Sequence, residues 1–114
     1  AAAVLAVKHV NARSGRLVPN AAALLPPAPF RLVYDLQNSQ QLPHVGVSVA
    51  AKWSHEHRHI LIASWLSAVS GPVSLIASTT GTPTVAYGSM SPALSDKTTY
   101  PTLSRTVASD AFVG

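Results

Sequence analysis

The sequence predicts an α/β fold built on a parallel sheet, and three observations point there. Thr84, Val85, Ala86 and Tyr87 are a short β-favouring run entered through Pro83, and Gly88-Ser89-Met90-Ser91-Pro92 ends it in a loop of small hydroxyl residues. An Ala-rich helical pattern over residues 1–12 precedes an alternating apolar pattern over Phe30–Leu36, and helix then strand is half of a repeating α/β unit. The chain has 114 residues, 47% hydrophobic and 11% charged, which allows one domain and argues against a disordered tail. Nine prolines cut into its regular structure, so the core is expected to be thin.

The first element is an amphipathic helix from Ala1 to about Ala12, with Val4, Val7 and Val10 on one arc beside Leu5. Arg13 and Arg16 near its end suit the helix dipole, and Ser14-Gly15 supplies the stop. Asn20 to Pro29 carries prolines 26, 27 and 29 and is read as a Pro-rich surface insertion at about 20–29. Phe30 to Leu36 alternates as a strand, with Phe30, Leu32 and Tyr34 on one face, and the polar stretch Asn38–Pro43 follows as a loop. In the middle, about 44–70, Val45, Val47 and Val49 alternate like a strand while Ile62, Trp65, Leu66 and Val69 fall at helical spacing. The favoured assignment there is a helix from about Val47 to about Ala68. The strand Thr84–Tyr87 comes next, and ligands of open α/β sheets bind outside the carboxyl ends of strands, which puts Ser89 and Ser91 at a crevice. Ser95-Asp96 is read as a turn, Tyr100-Pro101 as a rigid loop and Arg105-Thr106 as an outgoing strand.

The net charge of +4 comes from scarce acids, four in all, and the eight Lys and Arg form no basic block, so a nucleic-acid partner is not indicated. With no cysteine there is no disulfide framework, thiol nucleophile or thiolate metal site. No run of about 18 apolar residues spans a membrane. AAAVLAV lacks the basic start of a signal peptide and reads as a helix cut from a longer chain.

Two constellations bear chemistry. His55-Glu56-His57-Arg58-His59 matches H-E-x-x-H, in which two histidines one helical turn apart bind zinc and the glutamate serves as general base. A zinc-dependent hydrolase is therefore the competing function. Its weakness is the third ligand: the position six residues on is Trp65, and only Asp96 and Asp110 remain downstream. A solvated polar turn is the simpler account. The second constellation is Tyr87, Ser89, Met90 and Ser91: hydroxyls at a strand terminus bind ammonium or carboxylate groups, or cap the turn at Pro92-Ala93-Leu94. No serine lies in G-x-S-x-G and no Gly-rich phosphate loop is present, so no catalytic residue and no cofactor are assigned.

YGSMSPALSD, then YP, then RTVASD closely resembles the ligand-binding region of the class C receptor and natriuretic-peptide receptor superfamily, nearest to metabotropic glutamate and type-B GABA receptors. AVKHVNARSGRLVPN resembles the same family. The resemblance implies a type I periplasmic-binding-protein-like fold, here a partial, N-terminal-lobe fragment of a three-layer α/β/α domain over residues 1–114 without the family's first strand. It implies no catalysis, but recognition of a small amino-acid-like ligand on the extracellular side of a membrane. The partners it implies are the remainder of the receptor chain with a transmembrane module, a seven-helix bundle or a single span with a cyclase. It also admits a receptor dimer. The ligand-binding positions it points to are Ser89, Met90, Ser91 and Tyr87, with Met90 standing where relatives have a hydroxyl. Gly71-Pro72 resembles the close of the family's buried strand, and on that alignment the family's serine loop, roughly GPGCSSVS, is deleted here.

Overall fold

The computed structural model describes residues 2–14, 20, 23, 31–56 and 58–112. The chain divides into two units, residues 1–36 and 37–114.

In the first unit, helix α1 (Ala2–Asn11) forms where the Ala-rich pattern predicts it. Ser14 N–H donates to the His9 carbonyl and Arg13 N–H to that of Val10, a Schellman closure with Arg13 left-handed at φ 52°. The stop therefore falls before Gly15, on a residue that tolerates the conformation less well. The expected strand Phe30–Leu36 is not formed over its described part, residues 31–36. An isolated alternating segment makes no strand without a ladder partner. Instead the Asn11 side-chain amide serves Leu32 from both sides, accepting from its N–H at 2.7 Å and donating to its carbonyl at 2.9 Å. Apart from Asn20 and Ala23, the Pro-rich insertion lies outside the described residues.

The second unit contains the sheet. A turn with Gln40 and Gln41 both left-handed (φ 53° and 59°) leads into helix α2 (Pro43–His55), with proline in its first turn where no amide is missed. Strand β1 is Leu61–Ile62, helix α3 is Ser67–Thr79, β2 is Thr84–Ala86 and β3 is Leu103–Arg105, with short 3-10 turns at Pro92–Ser95 and Asp110–Phe112. The strands are parallel in the order β1-β2-β3, in the register Leu61, Thr84, Leu103 and then Ile62, Val85, Ser104. The fold is thus mixed helix and parallel sheet, the α/β class of periplasmic-binding-protein-like lobes. Leu61, Thr84 and Leu103 are buried, whereas Ile62 on the other face is 59% exposed.

The middle of the chain departs from the predicted helix over Val47–Ala68. That stretch holds most of α2, then strand β1 and the start of α3. The strand rests on non-local bonds, Leu61 N–H to Pro83 at 2.9 Å and Ala63 N–H to Val85 at 2.8 Å, which local spacing cannot reveal. Val45, Val47 and Val49 are only half-buried, and the inward stripe of α2 is Gly46, Ala50 and Ser54. It faces Val69, Val73 and Ala77 of α3, also spaced by four, so two rows of matching pitch interlock. Gly71 and Pro72 lie inside α3 rather than closing a strand. Gly71 leaves room for Tyr100, whose hydroxyl would sit 3.3 Å from an added Cβ. The core is small: Ala50, Leu61, Ala63, Val69, Val73, Ala77, Ala86, Leu94 and Leu103.

Gly46 is the tightest point of the helix pair. A Cβ there would lie 2.8 Å from Val69 Cγ1 and 3.1 Å from Val73 Cγ2. Valine in a helix has one strongly preferred rotamer and cannot turn away, so overpacking of about 1–3 kcal/mol opposes a propensity gain of about 1 kcal/mol. Gly46→Ala is expected to lower the denaturant midpoint, and an unchanged midpoint would show that the helices separate freely.

Candidate functional site

Parallel strands bring their carboxyl ends to one edge, so the segments leaving β1 and β2 lie side by side there. The exit of β1 is Ala63 to Leu66, running straight into α3. The exit of β2 is Tyr87 to Ser91. Three consecutive contacts close them together. Gly88 lies so close to Trp65 that an added Cβ would stand 2.9 Å from its Cβ and 3.1 Å from its Cα. Ser89 Oγ lies 3.0 Å from the Ser64 carbonyl and 2.8 Å from Ser70 Oγ, and Ser70 Oγ donates to the same carbonyl at 2.8 Å. Ser91 N–H donates to Ser67 Oγ at 3.2 Å. Arg105, at the end of β3, completes the edge by donating to the Ser91 carbonyl at 2.9 Å and to Ser95 Oγ.

The four residues singled out from the sequence have distinct places on this edge. Ser89 is 0% exposed and its hydroxyl is engaged inward. Ser91 is half-buried before the 3-10 turn, and its side chain makes no cap hydrogen bond. Tyr87 is 53% exposed and Met90 is also open to solvent. Ser64, Trp65, Ser67 and Ser70 join them, and sequence reasoning passed them over. Their signal is the i, i+3, i+6 serine spacing directly after an apolar run, which suits a strand exit winding into a helix. The strand ends at Ile62 and not at Gly71-Pro72, so the serine-bearing turn that leaves it lies ahead of that pair.

The edge is rich in hydrogen-bond donors. The amino terminus of α3 points its unpaired amides here, and Arg105 has no carboxylate partner among the described residues. Of the acids, Glu56 is at the opposite end of the sheet, while Asp96 accepts from Thr99 Oγ1 at 2.6 Å and Thr98 N–H at 2.9 Å. The Thr99 hydroxyl foremost, then the Thr98 amide, holds the Asp96 carboxyl below its usual range. Asp110, whose N–H donates to the Met90 carbonyl at 2.9 Å, brings an acid to this edge.

Residues 1–114 match the sequence profile of the receptor family ligand binding region over their whole length. The chain belongs to that family. A search of the curated proteins finds no match. Open α/β sheets in general bind ligands at the carboxyl ends of their strands, the edge that these exits form here.

The H-E-x-x-H constellation lies at the amino end of the sheet and does not assemble. Two histidines four apart share a face only on a helix, and α2 ends at His55. Glu56 is bound by Arg58 at 2.8 and 3.2 Å, with Lys52 at 3.9 Å. His57 lies outside the described residues. Among the described residues no three metal-ligating side chains converge. A small groove of about 190 Å³ at this end is lined by Ser54, Arg58, His59 and Thr80–Pro83.

Gly88 tests the closure of the two exits. Because the Trp65 backbone is part of the clash, no rotamer relieves it, and Gly88→Ala is expected to cost about 1–3 kcal/mol and to shift the Trp65 indole resonance. An unshifted Trp65 resonance in a folded variant would mean that the exits are not in register.

Proposed function

We propose that the receptor ligand-binding region formed by this chain takes a small amino-acid-like ligand at the exits of β1 and β2. The observation that carries the reading is the joining of two hydroxyl-bearing strand exits at the amino terminus of α3. A ligand carboxylate fits the unpaired amides there, with Ser67 and Ser91 beside it. Trp65, 50% exposed, Tyr87 and Met90 supply the apolar flank for the ligand's body. Ser89 acts from beneath, through the groups it holds. No bond of the ligand is made or broken on this reading; its occupancy is passed to the remainder of a receptor chain, through a transmembrane module. The site then faces the extracellular side. No helix among the described residues is long and apolar enough to cross a membrane. Receptor pairing belongs to the same proposal.

Affinity for the isolated chain is expected to be weak, since the few polar contacts contribute about 1 kcal/mol each against the lost freedom of the ligand. Titration with L-glutamate, γ-aminobutyrate and glycine, followed by amide chemical shifts, is expected to give a Kd of about 1 mM for at least one of them. Shifts should centre on residues 64–67 and 87–91, and Ser91→Ala should weaken binding about five- to tenfold. Shifts confined to the groove at Ser54 and Arg58, or none with any of the three, would overturn the reading.

A further inference from the structure

The Ser64–Trp65 peptide has a polarity that the buried serines decide. Ser64's carbonyl points inward, where Ser70 Oγ donates to it at 2.8 Å and Ser89 Oγ lies at 3.0 Å. A trans peptide is planar and its C=O and N–H point opposite ways, so the Trp65 N–H points outward. No acceptor for that N–H occurs among the described residues. A peptide with the reverse orientation would offer the strand exit a carbonyl in place of a donor, and so repel a carboxylate.

The proton count shows how the two hydroxyls share the work. Each serine has one O–H to donate. Ser70 spends its proton on the Ser64 carbonyl. Ser89 donates either to that carbonyl or to Ser70 Oγ, 2.8 Å away. If either serine is lost, the other still reaches Ser64; if both are lost, the carbonyl has no inward donor. Both side chains are fully buried, so neither is placed to touch a ligand from solvent.

We propose that Ser70 and Ser89 are paired positioning residues that hold the Ser64–Trp65 peptide with its N–H toward the ligand, and thereby set the preference of the site for an anionic group. This rests on the ligand site proposed above. It does not depend on which ligand is native, because the lock acts on the chain's own backbone.

Ser74 provides the control. It is equally buried on the same helix, one turn beyond Ser70, and its Oγ has no hydrogen-bond partner among the described residues. The experiment compares Ser70→Ala, Ser89→Ala, the double variant and Ser74→Ala in the 114-residue chain. Two quantities are read: the carbonyl ¹³C and amide shifts of the Ser64–Trp65 peptide, and affinity for L-glutamate. In the double variant the Ser64 carbonyl resonance is expected to move upfield as its hydrogen bonds are lost, with Thr84 and Ala86 amide shifts retained. L-Glutamate affinity should fall about tenfold or more, by more than the product of the two single effects, while Ser74→Ala changes it less than about twofold. An unmoved Ser64–Trp65 peptide in the double variant would overturn the lock, as would equal losses in Ser74→Ala. If the double variant does not fold, Ser70→Ala is decisive alone: it replaces the 2.8 Å donor by Ser89 at 3.0 Å, so the Ser64 carbonyl must shift by a smaller amount in the same direction, and an unmoved carbonyl overturns the lock. Should the unaltered chain not bind L-glutamate while the double variant still moves the peptide, the lock holds and the amino-acid reading fails. Should binding survive unchanged with the peptide displaced, the ligand reading holds and the positioning role fails.

Discussion

Helix α3 must approach α2 on one side and β2 on the other, and this is feasible because the facing residues are small. Gly46, Ala50 and Ser54 let the backbone of α2 come near Val69, Val73 and Ala77, with no larger side chain to hold the helices apart. Ser70 and Ser74 are also fully buried, and Ser70 Oγ meets Ser89 Oγ at 2.8 Å. Serine at such positions combines little volume with a hydroxyl that must be bonded or left at a cost. At Ser70 the hydroxyl is bonded, whereas Ser54, Ser74, Thr84 and Thr102 have buried side-chain oxygens without a partner among the described residues. Each such orphan costs about 1–3 kcal/mol. Close approach in this core is therefore obtained against a polar penalty, and little apolar area is available to offset it.

The position of α3 in turn decides what the strand exits can do. Only four residues separate its first residue from the end of β1, so the helix amino terminus cannot lie far from the sheet edge. There it meets the exit of β2, and Gly88 permits the contact that a side chain would block. Once the exits are in register, Ser89 falls over the start of α3 and Ser91 beside Ser67. Arg105 then pins the far side of the Pro92–Ser95 turn from β3. Packing between two helices and hydrogen bonding at a strand exit are thus one mechanical chain.

The parts of this arrangement legible in the sequence are those carried by local chemistry. The run Thr84–Ala86 with its proline entrance and glycine exit, the Ala-rich α1 and the wording YGSMSPALSD all declare themselves without long-range information. What was misread depends on partners far along the chain. Strand β1 is two residues long and exists through its pairing with residues 83–85. Helix α2 hides its inward face because Gly46, Ala50 and Ser54 do not register as hydrophobic, while the valines that do register are half-buried. The alternation over residues 31–36 meets no ladder, and Leu32 takes its hydrogen bonds from the Asn11 side chain. The misplaced end of the buried strand at Gly71-Pro72 follows from the missed β1, and with it went the serines at 64, 67 and 70. For the site, residue type was readable at Tyr87–Ser91, but the direction in which Ser89 points was not.

The two ends of the sheet also differ in a way that explains the basic stretch around residue 58. Both α2 and α3 finish at the amino end of the strands, so their last carbonyls, the negative ends of two helix dipoles, converge there. Lys52 and His55 fall in the last turn of α2, and Arg58 and His59 follow immediately. Cations at that location are favoured by the dipoles alone, and Glu56 between them neutralises part of the excess through Arg58 and Lys52. A pattern that in one dimension matches a zinc motif is, in three, charge complementing helix ends. At the opposite edge the polarity is reversed, since α3 begins there, with the Arg105 guanidinium and the Asp110 carboxylate both nearby. Helix direction favours cations at one end of the sheet and anions at the other, and the proposed ligand site lies at the latter.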